Sequence, residues 1–334
     1  MTSHGVVDRL RRILKTRKIG HCGTLDPNAT GVLSVAIGSA TKFIQYLPSK
    51  RKTYIARFRF GLKTSTDDIW GQVLEGSENP VPWLRPEDVV SRLKTLTGDI
   101  KQIPPIYSAI KRGGEPLYKK ARRGDENIAI ESRKVRVRSF DMTAWYPGDY
   151  PEADFVVRCE GGTYIRSLAR DLGDQIERHN DKGCAVGATM SMLERTRCGW
   201  FRLNESAYTI GDLEHACNKE HDRSSLLIPT DAPFRQEFPA ITLDSEKTKA
   251  FLNGRTLEMN DGSKLRFLGP STAPFVCVYG DSPAVHGESS LPTPSVFLGI
   301  AVVSEVPTHG GAAEDRQRVL VRPKKVYHEA RKAQ

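Results

Sequence analysis

The chain has 334 residues, 38% of them hydrophobic and 27% charged, which suffices for a core in one large or two ordinary domains and excludes a disordered chain or a disulfide scaffold. No run approaches the ~18 apolar residues of a membrane helix. The net charge is +10, and residues 1–60 account for it, with twelve Lys/Arg against two acids, Asp8 and Asp26; such a block fits an anion-binding surface, nucleic acid first, or a solvated basic helix.

Taken in chain order, Ser3 is placed to cap a helix with Val6, Val7, Leu10, Ile13 and Leu14 on its apolar face and Arg9, Arg11, Arg12 and Lys15 on the other. A glycine-rich loop, GHCGTLDPNATG (20–31), leads into an apolar run from Val32 to Ile37 that reads as a buried strand. Residues 53–60 alternate, Tyr54, Ala56, Phe58 and Phe60 on one face and Arg57 and Arg59 on the other, as a half-buried strand requires. A helix is expected over 86–97, stopped by Gly98. Residues 101–124 carry two adjacent prolines, a Gly-Gly pair and six basic residues between 111 and 123, and read as a loop or short-helix insertion.

Strands are expected at 134–140 and 154–159, a helix from about Tyr164, and a strand near 187–195. Residues 211–236 read as a polar connector. Beyond them, the runs Phe275–Tyr279, Phe297–Val303 and Arg318–Val321 alternate with loops such as 280–295, the pattern of a small all-β module.

Three residues stand out chemically. Asp26, in Gly23-Thr24-Leu25-Asp26-Pro27, is an acid among cations, which favour its ionised, nucleophilic form; the alternative is an Asp-Pro turn. Tyr54 follows Lys50-Arg51-Lys52, a grouping suited to phosphate and base contact, or it is a core tyrosine at a strand start. Arg166 stands at a helix start, where the helix dipole disfavours a cation, so either a carboxylate holds it or it is an exposed first-turn arginine. His21 sits in the glycine-rich loop, where it could stack on a base or bond to backbone. The six cysteines lack Cys-x-x-Cys spacing and fit a reducing compartment. The acid pairs Asp67-Asp68 and Asp171/Asp174 have no His partners at ligand spacing, so they support no metal site and are expected at turns and on a solvated helix face.

Seven blocks, in one order, together resemble the TruB-type tRNA pseudouridine synthases: TSHGVVDRLRR (2–12), KIGHCGTLDPNATGVL (18–33), ATKFIQYL (40–47), KTYIARFRFG (52–61) with TDD (66–68), QIPPIYSAIKRGGEPLYKKARRG (102–124), GGTYIRSLARDLG (161–173) and LERTRCGWF (193–201). FLGIAVV and VRPKKV are similar, more loosely, to the PUA-like β module that follows this catalytic domain. The resemblance implies an α/β (α+β) fold with a mixed, largely antiparallel sheet. It implies a catalytic domain over 1–210, a connector over 211–236 and the PUA-like module over 237–328.

It further implies an isomerase that converts a T-loop uridine of tRNA, position 55, to pseudouridine, with no cofactor and no metal. Asp26 takes the place of the catalytic aspartate, Tyr54 of the tyrosine that stacks on the base and could relay a proton, and Arg166 of the arginine paired with the carboxylate. His21 and Leu193 correspond to residues near the flipped nucleotide. Lys52, Lys111 and Arg112 are expected on tRNA phosphates. The expected state is a monomer off the membrane, cytoplasmic, or in an organellar matrix or stroma if a transit peptide lies upstream. The family pattern opens with a strand and a Lys-Pro motif before Thr-Ser-His, so the resemblance implies either a start at an internal methionine or a sheet lacking one strand, with an exposed edge. A non-catalytic tRNA-binding or chaperone protein on the same scaffold is the alternative, and it would not need the Asp26–Tyr54–Arg166 set.

Overall fold

A computed structural model describes residues 1–48, 50–124, 129–178, 181–218, 226–259, 275–280, 296–305 and 319–327. The helices are α1 (Ser3–Ile13), α2 (Pro86–Leu93), α3 (Leu117–Arg122), α4 (Ile165–Asp174), α5 (Leu203–Ser206), α6 (Ile210–Asn218), α7 (Ala232–Arg235) and α8 (Ser245–Leu252). The strands of the first half are β1 (Ile19–His21), β2 (Thr30–Gly31), β3 (Val35–Ile37), β4 (Lys52–Phe60), β5 (Gly98–Gln102), β6 (Lys111–Arg112), β7 (Glu115–Pro116), β8 (Arg133–Tyr146) and β9 (Glu152–Cys159). They continue as β10 (Glu177–Arg178), β11 (Asp181–Ala185), β12 (Ala188–Cys198), β13 (Phe201–Arg202), β14 (Ala240–Leu243), β15 (Leu257–Met259), β16 (Val276–Gly280), β17 (Val296–Glu305) and β18 (Val319–Val326).

The chain forms two compact units: Met1–Thr2, Leu25–Leu33 and Lys50–Ala207 in one, Ser3–Thr24, Ser34–Ser49 and Tyr208–Gln334 in the other. In the first, a seven-stranded sheet runs β13-β12-β4-β9-β8-β5, with β2 alongside β12. Only the β2–β12 pairing is parallel. The alternation of 53–60 decides which face is covered. Tyr54, Ala56, Phe58 and Phe60 are buried with Phe155, Val157 and Phe140; the Phe58 and Phe155 rings lie 4.7 Å apart. Leu168, Ala169 and Leu172 of α4 and Val89 and Leu93 of α2 join this core. On the other face, Arg57 donates two hydrogen bonds to Asp154 (2.6 and 2.9 Å) and Arg59 one to Glu152 (2.8 Å), cross-strand pairs that neutralise the outward arginines.

The second unit has a five-stranded sheet, β14-β16-β17-β18-β15, with β14 parallel to β16 and the rest antiparallel. Phe251 and Leu252 of α8 pack into its core. Phe43, in the 3-10 segment Gly38–Tyr46, sits in an aromatic cluster with Phe234, Phe297 and Tyr327. Val7 and Leu10 of α1 pack with Ile19, Val35, Ile37 and Leu213, and Arg9 donates two hydrogen bonds to Glu214 (2.8 and 2.9 Å). This unit therefore holds α1 and the antiparallel β1–β3 pair, which one cut near residue 210 would assign elsewhere. The supposed connector is partly helical, because α6 supplies the apolar and acidic partners that α1 needs. The run Val32–Ile37 is likewise divided: Val32 belongs with β12, whereas Val35–Ile37 pairs with Ile19–His21. Arg318 and the loop over 281–295 lie outside the described residues.

Helix α4 approaches the sheet backbone to backbone. A Cβ on Gly173 would lie 2.2 Å from the Ala188 nitrogen and 2.3 Å from the Gly187 carbonyl carbon, distances no side chain tolerates. Gly173→Ala is therefore expected to destabilise the fold by about 1–3 kcal/mol, read by thermal denaturation. Gly148→Ala, where nothing lies within 4 Å, should leave the transition unmoved.

Candidate active site

The loop that carries Asp26 is attached to β12 by backbone. Thr30 and Gly31 pair with Glu194 and Arg195, and the Val32 N–H donates to the Arg195 carbonyl (2.8 Å). Gly31 has φ +96°, and a Cβ there would meet the Arg195 carbonyl oxygen at 2.3 Å, so glycine is required both for the turn and for the approach. The Arg195 side chain, 0% exposed, donates from Nε to the Val32 carbonyl (2.8 Å). A buried arginine thus fastens the loop to the sheet, and it holds Asp26 at a turn closed by the Ala29 N–H on the Asp26 carbonyl (3.0 Å).

Arg166 meets Asp26 in a bidentate contact, Nε to Oδ2 at 3.0 Å and Nη2 to Oδ1 at 3.2 Å. The arginine side chain is 6% exposed and the aspartate 33%, so the cation is enclosed while the carboxylate keeps access to a ligand. Nη1 also donates to the Thr66 carbonyl (2.9 Å) and Nη2 to the Tyr107 carbonyl (3.0 Å), and the Asp68 carboxylate stands 3.8 Å from Nη1. A cation in the first turn of α4 is tolerable because two carboxylates and two carbonyls face it. The helix start itself is fixed by Gln102, whose side-chain amide accepts from the Tyr164 N–H (2.8 Å) and donates to the Tyr164 carbonyl (3.0 Å).

Of the residues singled out from sequence, Asp26 and Arg166 are in contact. Tyr54 is opposite Arg195 in the β4–β12 register and 5% exposed. Burial raises its hydroxyl above the usual tyrosine range, outweighing the opposing effect of Arg195. Leu193, opposite Ala56, is a core residue. Lys52, half-buried, lies between Cys159 and Cys198 across neighbouring strands, and burial lowers its pKa. Lys111 and Arg112 are exposed on the β6–β7 hairpin, where Arg112 donates to the Ala129 carbonyl. His21 ends β1 in the second unit, half-buried.

The acid pairs, expected at turns and on a solvated helix face, are engaged in ion pairs and hydrogen bonds. Asp67 accepts from Arg170 (2.9 Å), and burial raises its carboxyl to about 6 despite Arg170 and Arg166. Asp68 accepts from the Thr66 hydroxyl (2.8 Å) and the Trp70 N–H (3.2 Å). Asp171 accepts from Arg170, and Asp174 lies 2.5 Å from Lys63. No cluster of three metal-ligating side chains occurs among the described residues.

Tyr164, Asp68 and Arg195 also belong to this set of residues, in roles that sequence spacing does not assign to them. Tyr164 feels the charges of Asp26 and Arg166, and burial raises its hydroxyl above the usual range; its place two residues before Arg166 was the available signal. The partners of Asp68 and Arg195 come from distant segments, and spacing does not reveal them.

Removing Arg166 would leave Asp26, Asp68 and two inward carbonyls facing one another. Arg166→Met is expected to cost roughly 3–5 kcal/mol, measured by chemical denaturation, a larger loss than an exposed arginine would give.

The sequence profile described as "TruB family pseudouridylate synthase (N terminal domain)" matches residues 11–165. A "tRNA pseudouridine synthase B" from Trichormus variabilis is 42% identical over 259 residues, 78% of this chain and 83% of that protein. One from Gloeothece citriformis is 37% identical over 321 residues, 96% and 92% of the two chains. A chain in the crystal structure of a Cbf5-Nop10-Gar1 complex is similar in fold, with a TM-score of 0.63 at 24% identity, covering 98% of this chain and 81% of that one. Identity of this order, sustained over most of the length of both relatives, means that the chain belongs to the TruB family of pseudouridylate synthases.

Proposed function

We propose that the protein converts uridine to pseudouridine in tRNA, at the T-loop position 55, with Asp26 as the catalytic carboxylate. The observation that carries this reading is the bidentate Asp26–Arg166 pair, an enclosed cation holding a one-third-exposed anion. The relatives named tRNA pseudouridine synthase B support tRNA as the substrate.

The target uridine leaves its stack, at a cost of a few kcal/mol, so that its glycosidic bond can be reached. Asp26 attacks the ribose or the base, or shields positive charge on the sugar, while the C1′–N1 bond breaks. The uracil turns, C5 bonds to C1′, any bond Asp26 has made to the ribose or base breaks to return the free carboxylate, the C5 proton leaves and N1 is protonated. Atoms and electrons balance within the nucleotide, so the isomerisation consumes no co-reactant. Arg166 keeps the carboxylate aimed. Tyr54 and Leu193 form the apolar floor for the base, His21 contacts the loop beside it, and Lys52, Lys111 and Arg112 meet phosphates. The C-terminal module over 237–328 also binds RNA. The protein works as a monomer in a reducing compartment such as the cytoplasm.

Asp26→Asn keeps size and polarity and removes the charge. Pseudouridine formation in an unmodified tRNA transcript, mapped at single-nucleotide resolution, should fall to background, while tRNA affinity holds or rises and the fold persists. Full activity in the folded variant, or product at another uridine only, overturns the assignment. No product from the parent chain, with binding intact, would favour a tRNA-binding protein instead.

Charge reversal of Lys111 and Arg112 should weaken tRNA binding and reduce its salt dependence by roughly one slope unit for each phosphate no longer neutralised. Titrations at several salt concentrations measure this.

A further inference from the structure

Two loops present their acceptors to Arg166; the first is closed by its own bonds, the Asp67 N–H on the Thr64 carbonyl (3.3 Å) and the Thr64 hydroxyl on the Asp68 carbonyl (2.7 Å), and both are held to α4. The first, 64–68, passes through Asp67, a non-glycine residue at φ +59°, a conformation L-residues avoid unless something holds them there. That reversal lets the Thr66 carbonyl and the Asp68 carboxylate face the same Nη1. The second, 103–107, runs through Pro104-Pro105 and presents the Tyr107 carbonyl to Nη2.

Arg170 follows Arg166 by four residues, one turn along the same face of α4. It donates from Nη1 to Asp67 Oδ2 (2.9 Å) and from Nη2 to the Ile103 carbonyl (2.8 Å), an oxygen that also accepts from Ser167 Oγ (2.9 Å). Asp171 accepts from Nε and Nη2 and orients the guanidinium. Each loop is thus gripped by Arg166 and, one turn later, by Arg170, with Ser167 adding a bond to the second loop. Only the second grip lies away from Asp26.

We propose that Arg170 and Asp67 are positioning residues for the isomerisation: their ion pair, with the Arg170–Ile103 bond, latches the two loops that aim Arg166 at Asp26. The proposal rests on Asp26 being the catalytic carboxylate. It makes the strained Asp67 backbone a working part of the site rather than an incidental turn.

The latch has a pH signature. Asp67 faces Arg170, Arg166, Asp171 and Asp174, all on α4, while β12 offers it the Met190 N–H as a donor to its carbonyl (3.1 Å). Burial raises the Asp67 carboxyl to about 6. The ion pair is therefore intact above that pH and is lost as pH falls through it.

Arg170→Met and Asp67→Asn, the second nearly isosteric and sparing α4, are compared with the parent in single-turnover reactions at saturating enzyme. The expected result is a rate lower by about ten- to a hundredfold, tRNA affinity within about twofold, and partial recovery in Arg170→Lys. The parent rate should drop below pH 6, and Asp67→Asn should lack that limb. In parallel, NMR of the unliganded proteins follows the Arg166 Nε–H, which should be protected from exchange in the parent and exposed in both variants. Folded variants with the parental rate, pH profile and Arg166 signal overturn the latch, as does a loss that merely follows the folded fraction. If the parent makes no pseudouridine, the functional reading fails, and the Arg166 exchange alone decides the latch.

Discussion

The catalytic unit is organised around one cation that cannot be left alone. An arginine removed from water costs several kcal/mol unless its donors are met, and Arg166 is enclosed with every nitrogen engaged. Its partners come from residues 26, 66, 68 and 107, far apart in the chain. The fold therefore has to deliver a loop attached to β12, a turn after β4, the segment after β5 and the start of α4 to one place. The close approach of Gly173 to β12 and the Gln102 contacts at the helix start fix where that cation sits.

Holding Asp26 this way does two things. The bidentate pairing sets the orientation of the carboxylate, and the surrounding protein limits the water that would weaken it. A third of the aspartate stays exposed, so the group is aimed without being consumed by its partner.

Much of this was legible in the sequence because it follows from local periodicity. The alternation over 53–60 gave the buried and ionic faces of β4, and the apolar spacing after Tyr164 gave α4. The oddity of an arginine in a first helical turn pointed to a carboxylate partner. What escaped depends on partners distant in the chain. Asp67 and Asp68 looked like turn residues because their arginines lie about a hundred positions later. The helix α6 was hidden in a polar stretch because its amphipathic partner is α1. Residues 32–37 formed one apolar run, yet its two ends pair with different strands. The enclosure of Tyr54 is a property of three adjacent strands, and no single one displays it.

The ion pairs on the outer face of β4 change how the chain's charge is distributed. Arg57 and Arg59 are counted in the basic N-terminal segment, yet Asp154 and Glu152 cancel them, as Glu214 cancels Arg9. Acids from the later, formally balanced sequence are thereby spent on cations of the first sixty residues. The electric field is thus less a property of the first sixty residues than their composition implies. The linear charge count therefore overstates the cations that the first sixty residues offer to a polyanion, while Lys111 and Arg112, exposed on the β6–β7 hairpin, add to what the later chain offers.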